Sequence, residues 1–444
     1  MQKSQFMGTA PIPQLMLKLG IPSMLAQLVN MLYNIVDKIF IGHMSEGGIM
    51  ALGGIGISTP IIFIIGSFSG IVSGGGPPLA AIALGKGDKK EAEEIFSNCV
   101  SLLFCISLVS MLFVYFFKVP LLYLFGASGN NISHADTYLS YYILGTFFVF
   151  VGTGLNGFIS AQGRADIAMR SVIIGAVANI LLDPIFIYLF HMGVKGAAIA
   201  TVIAQFLSAA FIYRFFYSPQ SELKIKRQYL RMRFRIVKNI TALGVSHFVM
   251  QSTEAAVVIV MNRQLLAYGG DVYVAAFAVM RSISSLVAVP MAGYNQGMQP
   301  LMSYNFGAGN TQRIKLVINR MLRITFLVKI TFQLSFTLFP RMYASIFTKD
   351  PEAIAIVSRY VPILLAGTWI FAAQNVGQTF FVSTNKPVTS LFVASLRKVI
   401  LLIPLALILP GHFGLVGIYL SEGVADTLSA ATSGAILWRY YRKL

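Results

Sequence analysis

Charged residues are scarce in this sequence. Asp, Glu, Lys and Arg together make up 11% of its 444 residues, whereas a soluble domain carries about a quarter. Only 16 residues are acidic, so the formal net charge is +18. A chain with so few charges cannot keep a large folded surface in water. The composition therefore excludes an ordinary soluble domain and predicts a polytopic membrane protein.

Motifs for catalysis and nucleotide binding are missing as well. The sequence has no GxxxxGK[ST] loop, no HExxH and no aspartate-rich diphosphate motif, and its five histidines are scattered. The two cysteines, Cys99 and Cys105, share one predicted helix and are expected to be inert. We therefore expect no ATPase, no enzymatic activity and no cofactor, and an intramembrane enzyme is the weaker alternative.

Long apolar runs fill the chain instead. Hydrophobic residues make up 56% of it, and the mean hydropathy is +0.73. A membrane-spanning helix needs roughly 20 mostly apolar residues. On that scale the sequence predicts an all-α polytopic membrane protein with twelve transmembrane helices. The predicted spans are 14–41, 49–75, 93–117, 135–159, 167–190, 194–216, 237–262, 272–302, 314–339, 352–382, 388–410 and 414–438.

The two halves of the chain resemble each other. Four short motifs recur in the same order at an offset of about 222 residues, for example "PLAAIALGKGD" at 78–88 and "PLMSYNFGAGN" at 300–310. With six helices per half, the repeats run parallel in the membrane, an arrangement common in transporters. We predict two pseudo-symmetric lobes around a central cavity. The predicted units are an N-lobe at 1–216, a basic linker at 217–236 and a C-lobe at 237–444.

Basic residues concentrate in alternate loops. They follow the second, fourth, eighth and tenth spans, and the richest stretch, "LKIKRQYLRMRFRIVK" at 223–238, lies between the halves. By the positive-inside rule, both termini and this linker are cytoplasmic, in a plasma or inner membrane. The same distribution argues against nucleic-acid binding. Membrane lipids are expected partners, although the linker is interpreted as an orientation signal rather than a dedicated lipid site.

A carboxylate interrupts the first apolar segment. Asp37 shares a helical face with Asn30 and Asn34, and Gln27 lies further back on the same segment. Ionisable groups inside a membrane are costly and usually functional. The alternative is local, because Asp37 could pair with Lys38 or reach the nearby interface.

A second carboxylate lies in "ANILLDPIFI". Asn179 precedes Asp183 by four residues and so shares its face, and Thr201 lies in the next segment. Together with Asp37 these oxygens suit Na⁺. The two carboxylates could instead share a proton, because both cannot ionise cheaply at close range. Alternatively, Asp183 only forms a hydrogen bond within a proline kink.

The second half carries charges of both signs. Glu254, Arg281, Arg397 and Lys398 fall within predicted spans. Two interpretations stay open. Acids and bases could neutralise each other in buried pairs, or these four could line the cavity and contact a charged substrate, in which case free cations favour an anionic or zwitterionic compound. Further charges in the same half are Lys329, Glu422 and Asp426.

These features resemble the multidrug and toxic compound extrusion (MATE) family. The resemblance rests on the twelve spans in two lobes, the opening "LGIPSMLAQLVNMLYNIVDKIFIG", the matched loops "ALGKGD" and "NFGAGN", and "AQGRA". The resemblance covers nearly the whole chain, and the sequence pattern is closer to the bacterial branch of the family than to the eukaryotic branch. The family implies secondary active efflux of organic, often cationic and amphipathic, compounds by alternating access in exchange for H⁺ or Na⁺.

The resemblance also implies specific site residues. Family members with an N-lobe cation site use positions matching Asp37, Asn179, Asp183 and Thr201. A C-lobe site in some relatives needs a Glu on helix seven, matched by Glu254, and an Asp on helix ten, which 363–383 lacks. The chain is expected to act as a monomer on small molecules. A lipid-linked precursor flippase of the same superfamily is the alternative function.

Overall fold

The computed structural model describes residues 3–44, 48–127, 129 and 132–444, and this part of the chain is almost entirely helical, with no strand. A short helix α1 (Phe6–Thr9) precedes the long apolar helices. The N-lobe contains α2 (Ile12–Gly42), α3 (Gly48–Gly85), α4 (Lys89–Leu124), α5 (Ile132–Leu144), α6 (Thr146–Ala161), α7 (Ala165–Pro184) and α8 (Gly193–Tyr217).

The C-lobe repeats this arrangement. It contains α9 (Phe234–Gly269), α10 (Asp271–Gly307), α11 (Thr311–Leu338), α12 (Pro340–Phe347), α13 (Pro351–Leu364), α14 (Ala372–Ser383), α15 (Pro387–Ser395), α16 (Ile403–Ile408) and α17 (Pro410–Lys443). Among the described residues, nine segments are long and apolar enough to span a membrane by themselves. The bent pair α5–α6 makes a tenth span, and α13–α14 and α17 complete the twelve.

Several spans are irregular. Helices α5 and α6 meet at a 57° bend. A run of turns over 365–371 separates α13 from α14. A π-helical turn follows α7 at Ile185–Leu189, and another joins α15 to α16 at Leu396–Leu402. Irregular backbone at membrane depth is tolerated where protein or a polar cavity surrounds it, so these breaks indicate where the interior is polar.

Helix α3 continues through the glycine-rich stretch at 70–78. The sequence "GIVSGGGPP" predicts that the helix ends or bends there, yet it runs unbroken to Gly85. The glycines permit close packing against α9 instead. A Cβ on Gly75 would lie 2.0 Å from the carbonyl oxygen of Ile240, and one on Gly244 would lie 1.7 Å from that of Ile71. The two backbones therefore touch at a seam where only glycine fits.

A second glycine contact joins α3 to α10. A Cβ on Gly85 would lie 2.0 Å from the carbonyl oxygen of Tyr304, and one on Gly307 would lie 2.0 Å from that of Ile82. Positions 82 and 304, and positions 85 and 307, each differ by 222, the offset of the sequence repeat. The pseudo-twofold axis therefore passes between these helices, and equivalent glycines face each other across it.

These contacts lie at one end of the molecule, which we call the basic end because the basic loops and the linker lie there. The N-terminal segment connects several elements at this end. The backbone N–H and hydroxyl of Ser4 donate hydrogen bonds to Glu222 of the linker. Asn305 and Arg313 both donate to the carbonyl oxygen of Met7, at 3.0 and 3.1 Å. The first residues therefore hold the linker and the C-lobe together.

Apolar side chains divide between a core and an outer belt. The core runs through both lobes and includes Phe96, Phe158, Phe277 and Phe381, all buried. Many other large apolar side chains are exposed, with Phe116 at 72% and Leu124 at 76%. Such a surface would aggregate in water, whereas hydrocarbon lipid solvates it.

Substituting Gly85 by Ala should destabilise the protein, because its methyl group would overlap the Tyr304 carbonyl and force α3 away from α10. We expect a loss on the order of 2 kcal/mol, measured as a lower thermal midpoint in detergent. Gly56→Ala on the same helix is the control, because no atom lies within 4 Å of a Cβ there. Equal midpoints for the two variants would contradict the proposed close packing.

Candidate cation site and central cavity

The structure brings the four predicted N-lobe residues together. Asn179 donates its amide N–H to Asp183 Oδ1 at 3.1 Å and contacts the hydroxyl of Thr201 at 3.5 Å. Asp37 approaches from α2, and its carboxyl group lies within hydrogen-bonding reach of Asp183. Asp183, Asn179 and Thr201 are buried, at 0%, 2% and 8% exposure. The group therefore joins α2, α7 and α8 in one polar cluster.

Local helix geometry explains most of this cluster. Asn179 and Asp183 are four residues apart and so share one face of α7. Pro184 and the π-helical turn that follows it end the regular helix immediately after Asp183. Helix α2 packs along α7 and supplies Asp37. Within the part of the chain that the structure describes, Asp37 forms no ion pair with Lys38.

Three oxygen atoms of the cluster have no hydrogen-bond donor. Asp37 Oδ1, Asn179 Oδ1 and Asp183 Oδ2 are buried without a partner among the described residues. Buried acceptors normally find donors, and two adjoining carboxylates repel each other when both are charged. One proton between the carboxylates, or one Na⁺ among the oxygens, would neutralise the repulsion. The donor set contains only oxygens, which is the ligand type that Na⁺ prefers.

Sequence reasoning missed the tyrosines around this cluster. Tyr33 and Tyr138 lie within electrostatic range of Asp37, and Tyr188 lies within that of Asp183. Tyr188 donates its hydroxyl to the carbonyl oxygen of Phe40 at 2.5 Å. Tyr33 precedes Asp37 by four residues and could have been found by helical spacing. Tyr138 comes from α5, and no sequence signal links it to α2.

A cavity of about 1060 Å³ lies between the lobes. Its N-lobe wall includes the predicted stripe of Gln27, Asn30 and Asn34 together with Asn179 and Thr201, whereas neither Asp37 nor Asp183 belongs to the wall. Gln27 donates to Gln296 of the C-lobe at 2.9 Å, across the cavity. The N-lobe wall is therefore polar but uncharged, and the two carboxylates lie outside the cavity surface.

Every charged residue of the cavity wall belongs to the C-lobe. Glu254 pairs with Arg281 and with Lys398, the latter at 2.6 Å. The structure thus supports both interpretations of the predicted C-lobe charges, since Glu254, Arg281, Arg397 and Lys398 line the cavity and also form ion pairs. The complete set of charged wall residues is Glu254, Arg281, Lys329, Arg397, Lys398, Glu422 and Asp426.

The second ion-pair group is centred on Arg397. This guanidinium pairs with Glu422 at 3.1 Å and with Asp426, both on α17. Arg397 and Lys398 are adjacent in the π-helical turn at Leu396–Leu402. Neighbouring residues on a helix point in different directions, so Arg397 reaches α17 while Lys398 reaches α9. The π turn therefore places two cations in two separate networks.

Some relatives carry an acid on the tenth spanning helix, which is α13–α14 in this structure, and residues 363–383 of this span contain none. Gln374, at the position range where some relatives carry an acid, donates to the carbonyl oxygen of Val393 at 3.2 Å. Gln374 and Asn375 both line the cavity. In the described residues no three side chains of His, Cys, Asp or Glu are grouped as a metal site. Glu254 is engaged by two cations, so it does not form an acid–acid pair like that of Asp37 and Asp183.

Twelve spans in two pseudo-symmetric lobes around a polar cavity define a membrane transporter fold. The model of the MatE family matches residues 22–185 and 242–408, which together cover most of the chain. This protein belongs to that family.

Named relatives and solved structures agree with this assignment. The multidrug export protein MepA of Staphylococcus saprophyticus is 22% identical over 423 residues, covering 95% of this chain and 93% of the relative. A crystal structure of a MATE protein in a bent conformation has a TM-score of 0.93 at 21% identity, covering 100% of this chain and 98% of that one. The MATE multidrug transporter DinF-BH, solved as a complex, is 35% identical, with a TM-score of 0.90 and coverage of 97% and 96%.

Replacing Arg397 by Met should strongly destabilise the fold, because two buried carboxylates would lose their only ion-pair partner in the described chain. We expect a loss of about 3–5 kcal/mol, visible as a large drop in thermal midpoint. Arg281→Met is the control, because its pair with Glu254 is more exposed and Lys398 stays in place. Its cost should be under about 1 kcal/mol, and a reversed order would refute this account.

Proposed function

We propose that this protein is a secondary active efflux antiporter that exports organic compounds in exchange for H⁺ or Na⁺ by alternating access. The observation that carries the proposal is the pair of adjoining carboxylates, buried Asp183 and half-buried Asp37, beside a large cavity between two lobes. The likeness to MepA and to DinF-BH, both named for multidrug transport, supports a small-molecule substrate. The proposed location is the cell membrane, with both termini cytoplasmic.

The coupling cation would act through the N-lobe cluster. Binding a cation removes the repulsion between Asp37 and Asp183, so α2 can pack more closely against α7. Because Gln27, Asn30 and Asn34 lie on α2 and line the cavity, movement of this helix changes the cavity wall. A cation shifts the lobes only by its differential affinity for the two states. The cluster must therefore bind the cation with unequal affinity in the outward-facing and inward-facing states.

The cavity does not favour the lipid-linked precursor flippase. Recognition of a diphosphate head group calls for several free cations. Here Arg281, Arg397 and Lys398 are each engaged by a carboxylate. Efflux of a smaller organic compound fits the mostly uncharged wall better.

Replacing either carboxylate by its amide should abolish coupled transport, because a neutral amide binds neither a proton nor Na⁺ with comparable strength. Asp37→Asn and Asp183→Asn are expected to lose drug-driven cation movement in proteoliposomes while keeping the elution profile of the folded protein. Asp166→Asn is the matched control, since Asp166 lies on α7 but pairs with Arg164 away from the cluster. Full coupling in either cluster variant would remove this site from the mechanism.

The coupling ion can be identified with imposed gradients. Efflux of ethidium, and of the zwitterionic dye rhodamine 110, is measured from vesicles under a pH gradient without Na⁺, and under a Na⁺ gradient at equal pH. Because the carboxyl groups already adjoin each other, a proton can bridge them without rearrangement, whereas Na⁺ requires the oxygens to move apart. We therefore expect the pH gradient to give the larger rate. A rate that responds to Na⁺ alone would assign the cluster to Na⁺.

A further inference from the structure

Lys329 differs from the other cations of the cavity. The wall carries four cations, Arg281, Lys329, Arg397 and Lys398, against three carboxylates, so one positive charge is left over. Three of these cations have an ion-pair partner. Lys329 has neither an ion pair nor a hydrogen bond among the described residues, and only 7% of it is exposed.

The environment of Lys329 compensates this charge only in part. Its Nζ lies 4.7 Å from the ring centre of Phe371, and Arg397 Cζ lies at the same distance from that ring. A cation–π contact stabilises an ammonium group by less than the burial of that group costs. The amine has three N–H donors and no acceptor. Asp426 lies within electrostatic range of the amine but forms its ion pair with Arg397. The amine therefore has no carboxylate of its own among the described residues.

The break in the span between α13 and α14 explains why the amine of Lys329 and the ring of Phe371 lie beside the cavity. Phe371 ends the turns over 365–371 between α13 and α14. Gln333, one helical turn after Lys329, donates to the carbonyl oxygen of Ala366 at 3.3 Å and accepts from the backbone N–H of Trp369 at 3.3 Å. The break is thus held against α11 by Gln333, and the Phe371 ring is presented to the cavity beside the free amine.

We propose that Lys329 binds an anionic group of the transported compound, and that the substrates are organic molecules in which this group lies beside an aromatic ring. Phe371 supplies a flat apolar face for that ring, and the amine supplies the counter-charge. Arg397 already binds Glu422 and Asp426 and is not free for this role. This inference rests on the proposed efflux function. It predicts that the exported compounds are zwitterions and anions, where the family resemblance implies compounds that are often cationic.

A matched pair of dyes tests the inference. Rhodamine 110 carries a free carboxylate, and rhodamine 123 is its methyl ester, so the two differ in charge and little else. KM for each dye is measured with the full-length protein in proteoliposomes. A hydrogen bond between charged groups is worth about 1.5–3 kcal/mol. We therefore expect the wild-type ratio of KM values, ester over acid, to be about tenfold or more.

Variants assign this preference to the amine. Lys329→Gln should bring the ratio to about one, and Lys329→Arg should retain most of it. Arg323→Gln removes a positive charge from an exposed position on α11 outside the cavity, and it should keep the wild-type ratio.

We call Lys329 and Phe371 together the subsite. The possible outcomes test the subsite and the efflux function separately. A wild-type ratio near one, or an unchanged ratio in Lys329→Gln, would overturn the subsite while leaving efflux standing. Failure of the wild type to move either dye would count against the efflux proposal itself. If Lys329→Gln does not fold, Lys329→Met takes its place with the same expected ratio of about one, and a wild-type ratio near one refutes the subsite without any variant.

Discussion

A charge inside a low-dielectric bilayer must be neutralised, and the two lobes meet this requirement in different ways. Two acids adjoin each other in the N-lobe, and neither forms an ion pair among the described residues. In the C-lobe, acids and bases neutralise each other within the chain. Under the proposed function, the N-lobe cluster is neutralised by a cation from outside and so responds to an ion gradient, whereas the C-lobe networks stabilise one arrangement of α9, α15 and α17.

Sequence reasoning was sufficient for the helices and for the residues that the structure groups in the N-lobe cluster. Hydropathy predicts the spans because bilayer thickness fixes their length, and α-helical spacing places Asn179 beside Asp183. One feature could not be predicted. Helix α3 passes through "GIVSGGGPP" unbroken, because its glycines pack against α9 and not because of local propensity. The grouping of Asp37 with Asp183 is expected from their shared chemistry and from the resemblance to the family, because no local pattern encodes how α2 packs on α7.

The repeat is preserved in the backbone and lost in the polar side chains. Gly85 and Gly307 face each other at equivalent positions, which shows that the lobes still share one interface geometry. In contrast, the stretch of α9 at 257–262, which corresponds to the region of Asp37, contains no acid. Under the proposed function, duplication supplied two matching lobes, and later divergence divided coupling and substrate recognition between them.

The N-terminal segment has a mechanical consequence. Ser4 is bonded to the linker, and Met7 is bonded to two side chains of the C-lobe. If the lobes separate at the basic end, these bonds must break before the cavity opens there. Under the proposed function, the bonds of the first ten residues therefore add to the energy barrier for opening at this end. The rate of transport would then depend partly on residues that contact neither the ion nor the transported compound.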